Sequence, residues 1–207
     1  MTPTEEAADQ VVRAARSLFT RGLTHGSTGN ISVRTVDGIL VTPTGSSLGT
    51  VEAGDLSLVD DRGAHLAGPK PSKEAFLHAA VLRARPDAQA VVHTHSTHSA
   101  AVSCLSGLDV TNALPPLTAY YAMRVGRLPL LPYHAPGDPA LEALAEATAA
   151  TRHAMLLSNH GPVVAGVSLA AAMDALEELE ETAKLFFLLR GLPVDPLSEE
   201  QAAALAP

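Results

Sequence analysis

Residues 90–99 read AVVHTHSTHS, and three of the nine histidines of the chain fall within six positions there. Imidazole is the commonest side-chain ligand for divalent transition metals. Alternate side chains of a strand share a face, so His93 and His95 point the same way, ~6–7 Å apart along the chain, and can converge on one ion. A third ligand completes such a site. His160 lies in SNHGP, where a strand ends at a sharp Asn-His-Gly-Pro turn that can aim a side chain. Three imidazoles with one coordination position left open describe a catalytic zinc-type centre that admits substrate oxygens. Zn2+ is the expected ion, and Mn2+ or another divalent ion suits the same ligands. A carboxylate must stand nearby to move protons. Glu74 is the candidate, in the first turn of a helix that faces a Gly/Ser-lined polar region, with His78 as its i+4 neighbour. The bland alternative is that Glu74 only favours the helix N-terminus electrostatically. His98 falls off the His93/His95 alternation and is a candidate for a partner behind the ligands or a substrate contact. No spacing singles out His25, His65, His134 or His153, which read as ordinary surface or loop residues.

The elements that must position these groups can be read along the chain. MTPTEEAADQVVRAARSLF alternates charge with apolar positions, as an amphipathic helix does and a signal peptide does not. GLTHGSTGNISVR (22–34) is a loop running into a strand, GILVTPTG (38–45) a second strand ending in a turn, and LSLVD (56–60) a third. PSKEAFLHAAVLRAR (71–85) reads as a helix with Ser72 at its N-cap and Pro86 beyond its end. AQAVVHTHS (88–96) is the next strand, and a short helix follows near Ser99. Six prolines between 115 and 139 punctuate a region of short strands and turns. ALEALAEATAATR (140–152) is helical, and HAMLLSNHGPVVAG (153–166) gives two short strands joined at 159–161. The helix 168–191 starts at Ser168 and stops at Gly191. Its stripe Leu169, Met173, Leu176, Leu179, Ala183 and Phe187 is read as core or subunit contact. Glu177, Glu178, Glu180 and Glu181 are read as its solvated side. The tail 192–207 is either loose or packed on a neighbour.

Composition narrows the function classes. The chain has 207 residues, 46% of them apolar and 17% charged, enough for a single domain with a substantial core. Its formal net charge of −8 argues against nucleic acid or an anionic membrane as partner, while an anionic small molecule can still be held by local backbone donors. The single cysteine, Cys104, cannot form an internal disulfide and sits among apolar residues, so a buried structural thiol in a reducing cytoplasm is expected. No stretch approaches the ~20 apolar residues of a membrane span.

The segments GSTGNISVR, LVTPTG, PSKEAFLH, AVVHTHSTHSAAVS and LLSNHGPVVAG follow one another in the order found in the class II aldolase/adducin family, which the chain resembles from about residue 10 to 191. The resemblance implies a single α/β/α domain with a central, mainly antiparallel sheet flanked by helices, assembled as a homotetramer with sites between subunits. It assigns the metal to His93, His95 and His160, with Glu74 as the acid–base carboxylate that also sits on the metal when substrate is absent. It places a phosphate pocket at Gly29, Asn30, Thr44, Gly45 and Ser72. Exposed N–H groups of Gly-rich turns and a helix N-terminus suit a dianion there, although turns need glycine in any case.

Two departures from the family's sugar-phosphate aldolases bear on the reaction. Those enzymes typically read PSSE where this chain reads PSKE. Lys73 therefore brings a positive charge beside Glu74, suited to a second carboxylate on the substrate or a firmer grip on phosphate, or else merely facing solvent. The aldolases also use a tyrosine near the C-terminus to protonate the aldehyde product, whereas the only tyrosines here are Tyr120, Tyr121 and Tyr133. Together with LPPLTAYYAMRVGRLPL and EELEETAKLFFLLRG, this resembles the branch that decarboxylates 3-oxo-tetronate 4-phosphates to dihydroxyacetone phosphate and CO2 through a metal-stabilised enediolate. Tyr120, slightly preferred over Tyr121, matches the tyrosine that a neighbouring subunit contributes. The alternatives are a ketose-phosphate aldolase of the fuculose-phosphate type, an epimerase, and a non-catalytic adducin-like binding domain.

Overall fold

The structure, a computed structural model, describes residues 2–206; Met1 and Pro207, the ends of the expected domain, lie outside the described residues. The first helix, α1 (Pro3–Thr20), is capped by Thr2, whose hydroxyl accepts from the Glu5 N–H while the Glu5 carboxylate accepts from the Thr2 N–H. This reciprocal capping satisfies two otherwise unpaired donors. Its Ala8, Val11, Ala15 and Leu18 are buried against the sheet, as the amphipathic pattern predicts.

Four strands follow: β1 (Asn30–Thr35), β2 (Gly38–Val41), β3 (Ser57–Val59) and β4 (His65–Ala67), each antiparallel to the one before. Then come α2 (Ala75–Ala84), β5 (Ala90–His93), α3 (Thr97–Ser103), α4 (Ala119–Arg124), β6 (Leu130–Leu131) and α5 (Leu141–Ala149). The chain ends with β7 (Ala154–Leu157), β8 (Gly161–Gly166), α6 (Leu169–Leu188) and the short α7 (Glu199–Ala203). The sheet runs β4-β3-β2-β1-β5-β8-β7-β6, antiparallel throughout except for the β6–β7 pair. The expected mainly antiparallel sheet between helices is therefore what forms.

Side-chain alternation divides the core into two layers. Ile31, Val33, Ala90, Val92 and Val164 face α1 and α6, while Val91, Val163 and Ala165 face α2 and α5. By the same alternation Asn30, Ser32 and His93 belong to the α2 side, and the site is built there.

Several local expectations need correction. Ser72 is not the N-cap of α2: the helix begins at Ala75 with Glu74 in the cap position, because the Ser72 hydroxyl and carbonyl first hold a turn by accepting from the N–H groups of Glu74 and Ala75. Strand β5 stops at His93, so His95 lies beyond the pleated segment. The proline-punctuated region holds a helix, α4, capped by the Thr118 hydroxyl on the Tyr121 N–H. Cys104 is exposed. It caps the C-terminus of α3, and two residues along a helix turn it ~200° away from the buried Val102. Glu180 is not on the solvated side of α6; it is buried at 5% exposure. Its carboxylate accepts from the backbone N–H groups of His98 and Ser99 at the start of α3, and from the Ser99 hydroxyl. The buried stripe of α6 matches expectation from Leu169 to Ala183. In the tail, α7 has no buried residue, and the Leu197 N–H donates to the Pro116 carbonyl.

Candidate metal centre and active site

His93 ends β5, His160 ends the β7–β8 turn, and His95 lies two residues beyond His93. The turn is tight because Asn159 adopts φ 54°, a conformation Asn tolerates better than most residues. Gly161 lets β8 pass the chain after β5, since a Cβ there would collide with the Thr94 carbonyl oxygen. Gly29 does the same on the other side: its φ is +78° and a Cβ would stand 2.9 Å from the His93 carbonyl oxygen.

The three Nε2 atoms converge. His93 and His95 are 3.1 Å apart, His93 and His160 3.2 Å, and His95 and His160 2.9 Å. His93 Nδ1 donates to the Pro162 carbonyl at 2.8 Å, which leaves its Nε2 as a bare lone pair. The imidazoles of His95 and His160 are pushed down to about 3 and about 4, by burial first and then by neighbouring histidines. Neutral rings with lone pairs turned on one point repel each other unless a cation lies between them. A tetrahedral zinc ion with ~2.0–2.1 Å bonds to nitrogen holds its ligand atoms ~3.3–3.4 Å apart, close to what is seen. The residues fit a divalent ion, and these are the three ligands whose atoms group together among the described residues.

Glu74 stands beside them, 6% exposed, with Oε2 3.5 Å from His93 Nε2 and Oε1 3.5 Å from His160 Nε2. Its carboxylate accepts from Asn30 Nδ2 at 2.9 Å. Burial pushes its pKa up, but the charge that protonation in acid would put on the His93 and His160 imidazoles, with the Asn30 amide, outweighs burial and holds it at about 2. A carboxylate raised toward neutrality, the condition for a resting general acid, is not what this arrangement gives.

The other expected site residues divide by what already occupies them. The Asn30 amide nitrogen is committed to Glu74, so its side chain faces the carboxylate. The Thr44 N–H donates to the Lys70 carbonyl and the Ser72 N–H to the Thr42 carbonyl. A bridge between Pro43 and Pro71 sets these two turns side by side. Gly45, at φ +72°, has open space around it. Lys73 is exposed, with its Cβ against Gly137. Tyr120 is 59% exposed, with the Arg124 guanidinium 5.6 Å from its ring centre. Tyr121 is fully buried. His98 turns its Nδ1 to Glu180 at 2.9 Å, on the α6 side of the sheet.

Ser32 has no role in the sequence reading, and His78 stands there only as the i+4 neighbour of Glu74; the two meet in the buried layer at 2.7 Å. The signal lay in their spacing, as Ser32 is at i+2 from Asn30 on a strand and His78 at i+4 from Glu74 on a helix. His25 is an exposed loop residue, as expected.

Comparison with known proteins identifies the family. Residues 9–187 match the Class II Aldolase and Adducin N-terminal domain. The chain is 48% identical over 196 residues to the 3-oxo-tetronate 4-phosphate decarboxylase of Haemophilus influenzae, covering 94% of this chain and 93% of that one. It is 33% identical over 201 residues to the L-fuculose phosphate aldolase of Escherichia coli K12, covering 96% and 91%. The crystal structure of YgbL from Escherichia coli superposes with a TM-score of 0.95 at 45% identity, over 100% of both chains. The chain belongs to the class II aldolase and adducin family.

Proposed function

We propose that this chain is a metal-dependent carboxy-lyase that converts a 3-oxo-tetronate 4-phosphate to dihydroxyacetone phosphate and CO2. The observation that carries the reading is the convergence of three imidazole lone pairs beside a buried carboxylate; kinship with decarboxylases supports the choice of reaction. The substrate is a β-keto acid. Its C1–C2 bond breaks, the electron pair passes into the C2–C3 unit conjugated with the ketone, and C2 takes up a proton. A divalent ion held by His93, His95 and His160, zinc being the first choice, supplies a Lewis acid for that negative charge.

The chain's own residues do the rest. Glu74, which can also approach the ion when substrate is absent, delivers the proton to C2. It rests ionised, so the proton it delivers is first taken up from solvent after substrate binds, when the substrate's phosphate and carboxylate raise its pKa. Gly29, Asn30, Thr44, Gly45 and Ser72 line the phosphate end, the open backbone at Gly45 and the hydroxyls of Thr44 and Ser72 being the groups best suited to it. Binding there orients the bond that breaks. Lys73 faces the substrate carboxylate. This reading includes a homotetramer, in which Tyr120, exposed at the surface, reaches a neighbouring subunit's site.

The test is to offer the metal-loaded protein 3-oxo-tetronate 4-phosphates of both configurations and to follow CO2 and triose phosphate. Release of both products from one configuration is expected. Condensation of dihydroxyacetone phosphate with an aldehyde, and no gas from either acid, would instead identify an aldolase.

A further inference from the structure

Two hydrogen bonds join β1 to α2 on the metal-bearing side of the sheet. Asn30 Nδ2 donates to Glu74 Oε2 at 2.9 Å, and Ser32 Oγ lies 2.7 Å from His78 Nδ1. Asn30 and Ser32 stand two residues apart on a strand, a spacing of ~6.6–6.8 Å. Glu74 and His78 stand four apart at the start of a helix, a rise of ~6 Å on one face. The spacings match, so the two contacts together fix α2 along its axis and around it. A slip of one residue would rotate Glu74 by ~100° away from the imidazoles.

All four side chains are buried, Ser32 and His78 completely. Burial holds the His78 imidazole down at about 3, so the ring is neutral, and its Nε2 has no hydrogen-bond partner. A polar pair placed so deeply costs desolvation that an apolar pair of similar shape, packed with Val41, Leu77 and Val91 of the same layer, would avoid. Ser32 and His78 are not among the metal ligands, and the chemistry described above uses neither. What the pair supplies is alignment.

We propose that Ser32 and His78 are a positioning pair for Glu74, setting the register of α2 on β1 so that the carboxylate lies between Asn30 and the metal-facing imidazoles. The proposal rests on the reading of Glu74 as the acid–base group. The experiment compares Ser32→Ala, His78→Gln and His78→Ala with the wild type and with Glu74→Gln. The readouts are kcat and KM for the keto-acid phosphate, and the visible absorption of each chain loaded with Co2+ in place of its native ion.

In Ser32→Ala, kcat is expected to fall on the order of ten- to a hundredfold with KM nearly unchanged, as for a misplaced catalytic group. The Co2+ spectrum is expected to shift toward that of Glu74→Gln, and His78→Gln, which keeps an amide for Ser32, is expected to recover part of what His78→Ala loses. Unchanged kcat together with a wild-type Co2+ spectrum in Ser32→Ala would overturn the proposal, whatever happens to thermal stability. If the wild type shows no decarboxylation, the functional reading fails and the Co2+ arm alone decides. A spectrum shifted toward Glu74→Gln then supports the pair, and an unshifted one refutes it.

Discussion

The imidazole of His93 and the carbonyl of Pro162 are joined by a 2.8 Å hydrogen bond between β5 and β8. A carbonyl can only accept, so the proton sits on Nδ1 and the Nε2 lone pair faces His95 and His160. The backbone of the neighbouring strand thereby chooses the tautomer of a ligand, as partners behind metal-binding histidines commonly do.

His95 lies outside the regular strand, so its removal should empty the site without unfolding the sheet. His95→Ala is expected to purify folded, with near wild-type circular dichroism, while metal content by elemental analysis and turnover each fall by a hundredfold or more, on the order expected for a lost ligand where an outer partner alone is worth ~10–100-fold. Full metal occupancy in this variant would remove His95 from the ligand set.

Glu74→Gln keeps the size of the side chain and its place beside Asn30 but cannot carry a proton. Steady-state kinetics should show kcat lowered by ~10²–10⁴-fold, the usual contribution of a general acid or base, with metal content retained. A kcat within a few-fold of wild type would assign the proton transfer elsewhere.

Acid should destabilise the metal-free chain in two windows. His78, His95 and His160 have folded pKa values of about 3, about 3 and about 4 against 6.5 unfolded. Below 6.5 the unfolded chain binds protons that the folded chain refuses, so stability falls as pH drops from 6.5 toward those values. Glu74, depressed to about 2 from 4.5, contributes stability above 4.5 that is lost as pH falls through the lower value. Thermal unfolding followed across this range should show Tm falling from the first window onward, and His78→Gln should flatten the upper part of that slope. A Tm indifferent to pH between neutrality and 4.5 would contradict these burials.

Much of this was legible in the sequence where residue type and spacing were both restrictive. His93, His95 and His160 stand out as candidates through H-x-H spacing and a histidine in a glycine-proline turn, and the structure groups their ligand atoms. Strand alternation alone does not bring His93 and His95 together, since β5 ends at His93 and the convergence comes from the chain beyond it. Glu180 was misread because an acidic run on a helix ordinarily faces water; its partners, the N–H groups of His98 and Ser99, lie 81 and 82 residues away. Helix α4 was hidden by the prolines around it, although Thr118 at its cap was visible. Ser32 and His78 each look unremarkable alone, and only the pairing of β1 with α2 gives them a joint meaning.

Lys73 separates the keto-acid reading from that of a ketose phosphate, which has no carboxylate. Because it is exposed, its pull on a carboxylate is screened, and Lys73→Ser should raise KM for the keto-acid phosphate by no more than about two- to fivefold. Competition by inorganic phosphate should be altered less. An equal loss for both would make Lys73 a phosphate contact.

The most direct test of the central claim is turnover of 3-oxo-tetronate 4-phosphate by protein stripped with a chelator and then titrated with Zn2+. No CO2 release from the stripped chain is expected, with activity restored in proportion to added ion and levelling off near one ion per chain. Undiminished CO2 release from the metal-free protein would contradict a reaction built on His93, His95 and His160 as metal ligands.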